Sequence, residues 1–309
     1  MTPRQRAITA LNRGIPDEIP TFELEFQLTD ELVGKEFLRQ EHLEKMSEKE
    51  KDIALHENAE LMVEVYEKLE YSIIPIHYLW LDESIKTAQI INKMTNFRYL
   101  LTRHGDGTYS IPDGNEMYEF AYRIADDPKG LLEQAEKMAL SAVERNNRAI
   151  DGGIESFILC SDYCYNNGPF LSPDQFSIFI TPYLSKIIKG IRDSGGYAIK
   201  HTDGNIMPIL DQLIEANPHA IHSLDPMAGV DIAKVKKIAG DKVCLIGNVN
   251  CALLQTGSDD EVIKSAEYCL THGKPKGGYI YSTSNVPFKG LDLKRYQLVL
   301  DIWKQYRKY

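Results

Sequence analysis

Short runs of β-branched and aromatic residues alternate along the chain with longer segments in which apolar residues recur at helical period. The short runs predict strands at residues 19–24, 71–76, 155–160, 197–201, 220–224, 242–247 and 278–282. The longer segments predict helices at residues 48–69, opening at Ser47, and at 173–194, 206–216, 230–238 and 259–272. No Ser-, Gly- or Pro-rich linker divides this pattern, which therefore predicts one continuous domain over residues 1–309.

Two segments lie outside the regular alternation. The N-terminal MTPRQRAITALNRG is amphipathic and predicts a helical extension ahead of the first strand. The segment 84–125 contains the turn signals GDG and PDG between short alternating stretches. We expect this segment to hold one further strand and a hairpin that extends from the main body of the fold.

Strand followed by helix, repeated about eight times over this length, is typical of an α/β protein with a (β/α)8 TIM barrel. A doubly wound sheet would more often place a Gly-rich phosphate loop after its first strand. Neither GxGxxG nor GxxxxGK[ST] occurs in the chain. The sequence therefore favours the barrel and argues against nucleotide binding.

Composition narrows the classes of ligand and compartment. With 35 Lys and Arg against 45 Asp and Glu, the formal net charge is -10, and such a surface repels nucleic acid. The N-terminus has no apolar signal-peptide core, and no window approaches the ~18 apolar residues of a membrane span. The odd number of cysteines, 5, is typical of reduced thiols. We therefore expect a cytoplasmic protein without a membrane segment.

Polar side chains follow most of the predicted strands. In a TIM barrel the catalytic groups lie at the carboxyl ends of the strands, so these side chains are the candidates for the active site. In chain order they are Glu23, Glu25, Ser161, Asp162, Tyr163, His201, Asp203, His222, Asp225, Asn248, Asn250, Ser282, Ser284 and Asn285.

His201 and Asp203 are the sharpest pair among these candidates. Residues i and i+2 of an extended segment point to the same side, so an imidazole and a carboxylate there can converge on one metal ion or one substrate oxygen. Asp162 follows a wholly apolar strand, where ionisation is costly unless a cation or donor lies near. The alternatives are that His201 is a hydrogen-bonded core residue, that Asp203 caps the next helix, and that Asp162 is solvated.

Glu23 and Glu25 share a face by the same reasoning. Two neighbouring carboxylates need either a metal ion or a shared proton. The alternative is that one is buried against an arginine while the other is exposed. His222 lies within a predicted strand, and the Asp225 carboxylate could orient an imidazole from behind.

Four segments of the chain resemble one known family. They are TPRQRAITALNRGIPDEIP, GPFLSPDQFSIFITPYLSKIIKGIRDSGGYAIKHTDGN, IHSLDPMAGVDIAKVKKIAGDKVCLIGNVN and GGYIYSTSNVP. They are similar to the uroporphyrinogen decarboxylase superfamily, which includes the corrinoid-linked methyltransferases of methanogens and acetogens. The resemblance spans nearly the whole chain, is weakest between about 84 and 125, and implies a TIM barrel.

The chain departs from two branches of that superfamily. Decarboxylases carry an Arg-rich segment after the first strand, whereas PTFELEFQLTDEL has no arginine and its carboxylates would repel a polycarboxylate substrate. The thiol-alkylating methyltransferases bind zinc through His-x-Cys at the fifth strand and a Cys after the eighth. Here His201-Thr202-Asp203 and the segment 282–285 offer oxygen ligands, which suit activation of an oxygen. A decarboxylase-type lyase and a methylcorrinoid-to-acceptor methyltransferase remain the alternatives.

The resemblance then implies the first methyltransferase of a corrinoid-dependent O-demethylase. Such an enzyme moves a methyl group from a methoxylated small molecule to the Co(I) corrinoid of a separate carrier protein. His201 and Asp203, with Glu23 or Asp162, would bind zinc or donate a proton at the ether oxygen. The expected substrate-binding residues are Tyr163, His222, Asn248, Asn250, Ser284 and Asn285.

Other classes and the assembly state stay open at this point. The DxHxxG loop by which corrinoid modules ligate cobalt is absent, which agrees with a separate carrier. Relatives commonly form dimers, which makes a homodimer an expectation. A hydrolase or lyase that uses the same residues would need no corrinoid partner, and a non-catalytic binding protein would tolerate the loss of His201.

Overall fold

The computed structural model describes all 309 residues, and its sheet is a barrel wall of parallel strands. Seven strands pair in the order β1-β2-β3-β6-β7-β8-β9, and β4 and β5 form a separate antiparallel hairpin. The strands are β1 (Ile73–Pro75), β2 (Leu100–His104), β3 (Ser156–Cys160), β4 (Cys164–Tyr165), β5 (Gly168–Pro169), β6 (Tyr197–His201), β7 (Ala220–His222), β8 (Cys244–Ile246) and β9 (Tyr279–Ile280).

The predicted first strand closes the barrel between β9 and β1. Thr21 forms a parallel bridge with Tyr281, whose N–H donates to the Pro20 carbonyl at 2.9 Å. On the other side the Ser72 N–H donates to the Thr21 carbonyl at 2.8 Å. Proline has no N–H to donate, so the segment makes isolated bridges where a regular strand was predicted. With this segment the wall has the eight positions of a TIM barrel, which confirms the predicted fold class.

Helices follow the barrel strands and cover the outside of the wall. The α-helices are α1 (Pro3–Leu11), α2 (Thr29–Val33), α3 (Gln40–Leu43), α4 (Glu48–Lys68), α5 (Leu81–Thr95), α6 (Glu116–Asp126), α7 (Pro128–Asp151), α8 (Pro173–Phe179), α9 (Thr181–Asp193), α10 (Leu210–Glu215), α11 (Ile232–Ala239), α12 (Cys251–Thr256), α13 (Asp259–Gly273) and α14 (Leu293–Tyr306). Short 3₁₀ helices occupy Met207–Ile209 and Pro226–Ala228.

Most of the predicted helices are confirmed with small changes at their ends. The N-terminal extension is α1, and Ser47 caps α4 in a reciprocal capping box with Glu50. The predicted helix 173–194 is two helices, because the chain breaks at Ile180 and restarts with Pro182 in the first turn of α9. The predicted helix 206–216 starts as the 3₁₀ turn and continues as α10.

The hairpin predicted within 84–125 is wrong, although the further barrel strand expected there is confirmed as β2. The segment holds most of α5, then β2 and α6, and the chain's hairpin is β4–β5. The GDG turn does not reverse the chain because Asp106 is fixed to the barrel wall. Its carboxylate accepts hydrogen bonds from the Thr108 and Ser161 N–H groups at 2.9 and 3.1 Å and forms an ion pair with Lys200.

One hydrophobic cluster of 78 buried residues extends from Ala7 in α1 to Trp303 in α14. All five cysteines are free thiols. No helix combines the length and the apolar character that a bilayer crossing requires.

Lys200 is the charged side chain buried most completely beneath this wall, and it provides a test of the packing. Its Nζ lies 3.1 Å from Asp106 Oδ2 and also donates to the Leu159 and Ser161 carbonyls at 3.0 and 2.9 Å. Removal of one partner of a buried ion pair leaves an uncompensated charge. We therefore expect Lys200→Met to lower the free energy of unfolding by about 3–5 kcal/mol in urea titrations.

The matched control is Lys189→Met, which removes an exposed lysine paired with Asp193. An exposed ion pair contributes at most about 1 kcal/mol. Equal losses in the two variants would contradict the assigned role of Lys200.

Candidate active site

The parallel register brings the ends of neighbouring strands to one rim of the barrel. Cys160, the last residue of β3, pairs with His201 at the end of β6, and His201 pairs with His222 at the end of β7. Side chains that follow these strands therefore meet at the carboxyl edge of the sheet, where TIM barrels hold their chemistry.

Asp162, His201 and Asp203 meet at this rim with ligand atoms within 4.8 Å of one another. His201 Nε2 lies 3.8 Å from Asp162 Oδ1 and 3.8 Å from Asp203 Oδ1. The imidazole is 3% exposed, whereas the carboxylate side chains are 48% and 32% exposed. We call these three residues the rim triad, in which a buried nitrogen faces two carboxylates that are open to solvent.

The Asp203 carboxylate is held by two donors, one of which the sequence did not indicate. Ser223 Oγ donates to Asp203 Oδ1 at 2.8 Å, and Asn285 Nδ2 donates to Asp203 Oδ2 at 2.5 Å. Ser223 has φ of 84°, a left-handed conformation that is uncommon for a residue with a side chain and recurs at functional sites. Its position directly after His222 at a strand end was the available signal.

Burial shifts two members of the triad, His201 and Asp203, toward their neutral forms. It lowers the pKa of His201 to about 4, with Lys200 acting in the same direction and the Asp162 carboxylate opposing it. It raises the pKa of Asp203 to about 7, where the hydrogen bond from Ser223 opposes the shift and Asp162 adds to it. At neutral pH the triad therefore contains an uncharged imidazole and a carboxyl group close to its titration point.

A chain of hydrogen bonds leads from the triad into the barrel. His201 Nδ1 lies 2.7 Å from His222 Nδ1, and His222 Nε2 lies 3.3 Å from Ser282 Oγ. Ser282 Oγ donates to Glu23 Oε2 at 2.9 Å. We call these four side chains the inner relay.

Glu23 is buried behind the triad, with 1% of its surface exposed. The Thr283 N–H and Oγ1 donate to it at 3.0 and 2.5 Å, and Tyr296 Oη donates at 3.3 Å. Burial raises the pKa of Glu23 to about 7 despite these donors. Its carboxylate contacts the triad only through Ser282 and His222.

Glu25 belongs to a different cluster, which the sequence reasoning missed. Tyr78 Oη donates to Glu25 Oε2 at 3.1 Å, and His104 Nε2 lies 3.8 Å from Glu25 Oε1. The His104 ring stacks on His77 at 4.0 Å between centroids. The expected sharing of one metal ion or proton by Glu23 and Glu25 is wrong, because no strand spans these residues and they reach separate partners. His77 directly follows the predicted strand 71–76, a position that would have indicated it.

Two predicted substrate-binding residues lie inside the fold. Tyr163 is buried, with its hydroxyl 2.6 Å from Thr108 Oγ1 and its ring beneath Lys200 Nζ at 3.9 Å. Asn248 is also buried, and its Nδ2 donates to the Leu224 carbonyl at 2.6 Å. Both side chains fix loops at the rim.

The next two predicted residues hold the loop that follows β8. Asn250 caps α12, where its Oδ1 accepts from the Ala252 N–H at 3.0 Å. Ser284 Oγ accepts from the Cys251 N–H at 3.3 Å. Of the six predicted substrate-binding residues, Asn285 and His222 are hydrogen-bonded to the triad.

Comparison with known proteins identifies the family. A family model described as uroporphyrinogen decarboxylase (URO-D) matches residues 113–306. The chain belongs to the uroporphyrinogen decarboxylase family. This confirms the resemblance on which the sequence interpretation depended.

The individual relatives are distant. Uroporphyrinogen decarboxylase of Vibrio vulnificus is 27% identical over 143 residues, which cover 43% of this chain and 36% of that protein. The enzyme of Vibrio campbellii is 28% identical over 138 residues, 41% of this chain and 35% of that protein. The match thus spans about a third of the length of these relatives. A solved methyltransferase from Methanosarcina mazei superposes with a TM-score of 0.76 and 99% of both chains covered. At 14% sequence identity this similarity shows a shared fold alone.

The buried Glu23 makes stability depend on pH in a defined direction. Its pKa is about 7 in the folded protein against an ordinary 4.5, so the folded state binds its proton more tightly than the unfolded state. This contribution to stability is complete below pH 4.5 and is lost as the pH rises through 7, by roughly 3 kcal/mol. We expect the unfolding free energy of the wild type, relative to Glu23→Gln, to fall by that amount over this range.

Denaturant titrations at a series of pH values measure this difference. The exposed Glu144→Gln variant controls for the loss of one negative charge. A pH-independent difference between wild type and Glu23→Gln would show that Glu23 is ionised throughout.

Proposed function

We propose that the protein is a methyltransferase that moves the methyl group of an O-methyl small molecule to the Co(I) corrinoid of a separate carrier protein. The observation that carries this proposal is the rim triad, where a neutral imidazole and two solvent-facing carboxylates converge at the carboxyl edge of the barrel. The shared fold with a protein named as a methyltransferase supports the reaction class.

The reaction explains why such residues are needed. The electron pair of Co(I) forms the bond to the methyl carbon, and the pair of the breaking C–O bond leaves with the oxygen. A phenolate or alkoxide is a poor leaving group, so the oxygen must gain a proton or be polarised as the bond breaks. Asp203, with a pKa raised to about 7, can hold that proton near neutral pH.

The triad also fits a divalent metal ion. One imidazole nitrogen and two carboxylate oxygens are ligands that zinc accepts, and they are harder than thiolates, which suits an oxygen substrate. His201, Asp203 and Asp162 would hold the ion, which would supply Lewis-acid polarisation of the ether oxygen. Asn285 and Ser223 would then fix the Asp203 oxygens from behind.

The two alternatives find less support at this rim. An acceptor thiol calls for thiolate ligands, whereas the nearby Cys160 is half-buried and desolvation raises the pKa of its thiol to about 12. The decarboxylase alternative calls for an Arg-rich segment after the first strand. Here Glu23 and Glu25 follow that strand, and no arginine lies between it and Arg39. Such a rim disfavours a substrate with many carboxylates.

An open cavity of about 630 Å³ lies over the ends of β2 and β3 and offers room for the methyl donor. Its lining includes the exposed indole of Trp80, the imidazole of His104 and the thiol of Cys160. Arg103 and Arg145 line the same cavity, and Asp106 there is already paired with Lys200. The cavity thus combines an aromatic wall with two guanidinium groups.

Replacement of the triad residues tests the proposal directly. In a reconstituted assay with the corrinoid carrier, loss of the Co(I) absorption reports methyl transfer. We expect His201→Ala and Asp203→Asn to slow transfer by about 10²-fold or more while circular dichroism shows that both variants keep the fold. The exposed Asp211→Asn variant is the matched control.

Full activity of both triad variants would exclude the assignment. Turnover of a methoxylated compound without any corrinoid would instead indicate a hydrolase or lyase. Metal analysis of the purified protein then separates the two forms of activation, since stoichiometric zinc that is lost in Asp203→Asn supports polarisation by a metal ion.

The two arginines predict a preference among methyl donors. We expect a methoxybenzoate to bind at least about tenfold more tightly than the matching uncharged methoxybenzamide, because a guanidinium pairs with a carboxylate. Arg145→Gln should remove this difference in calorimetric titrations. Arg148→Gln, on the same helix but paired with Asp82, should leave it unchanged. Equal affinity of wild type for both compounds would contradict this use of the cavity.

A further inference from the structure

The inner relay contains a buried carboxylate, a hydroxyl and one imidazole, that of His222, which the proposed reaction does not use directly. Ser282 and His222 are 0% exposed, and Glu23 is 1% exposed. Their contacts run without a gap from Glu23 to the ring nitrogen of His201 that faces away from the triad. A polar chain of this kind in a barrel interior is costly unless each member is paired.

The contact between the two imidazoles allows two arrangements. Both rings are buried, which disfavours a charged imidazolium, so each ring carries one N–H. Since Nδ1 faces Nδ1 at 2.7 Å, one of the two must donate and the other must accept. If His201 donates, its Nε2 has a free lone pair toward the carboxylates of the triad. If His222 donates, His201 presents an N–H there.

Glu23 decides between these arrangements. An ionised carboxylate only accepts hydrogen bonds, so the Ser282 hydroxyl, 2.9 Å away, must direct its proton toward Glu23. The only other acceptor within reach on that side is the Thr283 carbonyl at 3.0 Å, which has the same effect. The Ser282 oxygen therefore accepts from His222 Nε2–H. The reverse polarity would place the oxygen lone pairs of Ser282 against the carboxylate.

We propose that Glu23, Ser282 and His222 are positioning residues that fix His201 as the Nδ1–H tautomer, so that its Nε2 lone pair faces Asp162 and Asp203. With His222 Nε2–H bonded to Ser282, the His222 Nδ1 accepts and His201 Nδ1–H donates. A lone pair beside two carboxylates is an arrangement that only a cation or a proton can satisfy. The relay thus reassigns Glu23 from direct catalysis to control of the triad.

The relay predicts a tautomer of His201 and an effect on zinc affinity. The effect on zinc affinity rests on the proposed function, whereas the tautomer does not. Imidazole ¹⁵N spectra of the metal-free protein at pH 8.5, where Glu23 is ionised, report which nitrogen of His201 carries the proton. We expect a protonated Nδ1 and an unprotonated Nε2 in the wild type. The resonances are assigned by their loss in His201→Asn.

Three serine variants test the relay. Ser282→Ala removes the hydroxyl and should give a mixture of His201 tautomers together with a loss of zinc affinity of about 10–100-fold. Ser282→Thr keeps a hydroxyl and should restore both readouts. Ser284→Ala removes a neighbouring hydroxyl that binds Cys251 and lies outside the relay, so it should change neither. Glu23→Gln, which removes the charge at the end of the relay, should behave like Ser282→Ala.

The outcomes separate the relay from the proposed function. A protonated Nε2 in the wild type, or an unchanged tautomer in both Ser282→Ala and Glu23→Gln, would overturn the relay even if methyl transfer were demonstrated. The expected tautomers without methyl transfer would support the relay and exclude the proposed function.

Discussion

The barrel and the candidate site depend on one set of hydrogen bonds, those that join the first strand position to the segment after the last strand. Thr21 is bonded to Tyr281 on one side, and two residues later Glu23 accepts from Ser282 and Thr283. The first group closes the wall. The hydrogen bonds from Ser282 and Thr283 hold the Glu23 carboxylate at the inner end of the relay, whose other end is His201. The same two segments therefore close the barrel and place Glu23 behind the candidate site.

Charge explains why the rim is built in two layers. The outer layer consists of Asp162 and Asp203, which solvent reaches, and the inner layer consists of the buried side chains of the inner relay. Two neighbouring carboxylates repel each other when both are ionised, and a bound proton or cation relieves this repulsion. Most of the hydrogen bonds that organise the candidate site therefore lie behind the triad, and few lie at the position that a ligand would occupy.

The alternation of strands and helices was enough to predict the fold class. The strand ends indicated His201 and Asp203 and left Glu23 and Asp162 as alternatives for a third group; the structure brings Asp162 to the pair. His201 and Asp203 could be found because their spacing of two residues has a fixed meaning at the end of a strand. The same rule failed for Glu23 and Glu25, because the segment around Pro20 makes only isolated bridges and the chain beyond it does not alternate. The sequence does not show in advance where strand pairing stops.

Partners across the barrel were also beyond the sequence. Ser223 and Asn285 reach Asp203 from two different loops, and the link between His222 and Ser282 spans 60 residues. Such contacts depend on the curvature of the wall and on side-chain rotamers. Tyr163 and Asn248 were expected to contact the substrate because they are polar and follow strands. Both side chains instead form hydrogen bonds inside the fold. Polarity at a strand end does not show whether a side chain points toward the barrel mouth or into the wall.

The contacts between residues 21–23 and 281–283 have a consequence for the order in which the site forms during synthesis. Glu23 is bonded to residues 259, 260 and 273 positions further along the chain. During synthesis the Glu23 carboxylate has no native hydrogen-bond donor until Ser282, Thr283 and then Tyr296 have left the ribosome. The long sequence separation makes this a late and entropically costly contact. The first strand position therefore has no partner on its Tyr281 side, and Glu23 has none of its hydrogen-bond donors, until the last barrel strand and the segment after it have been made.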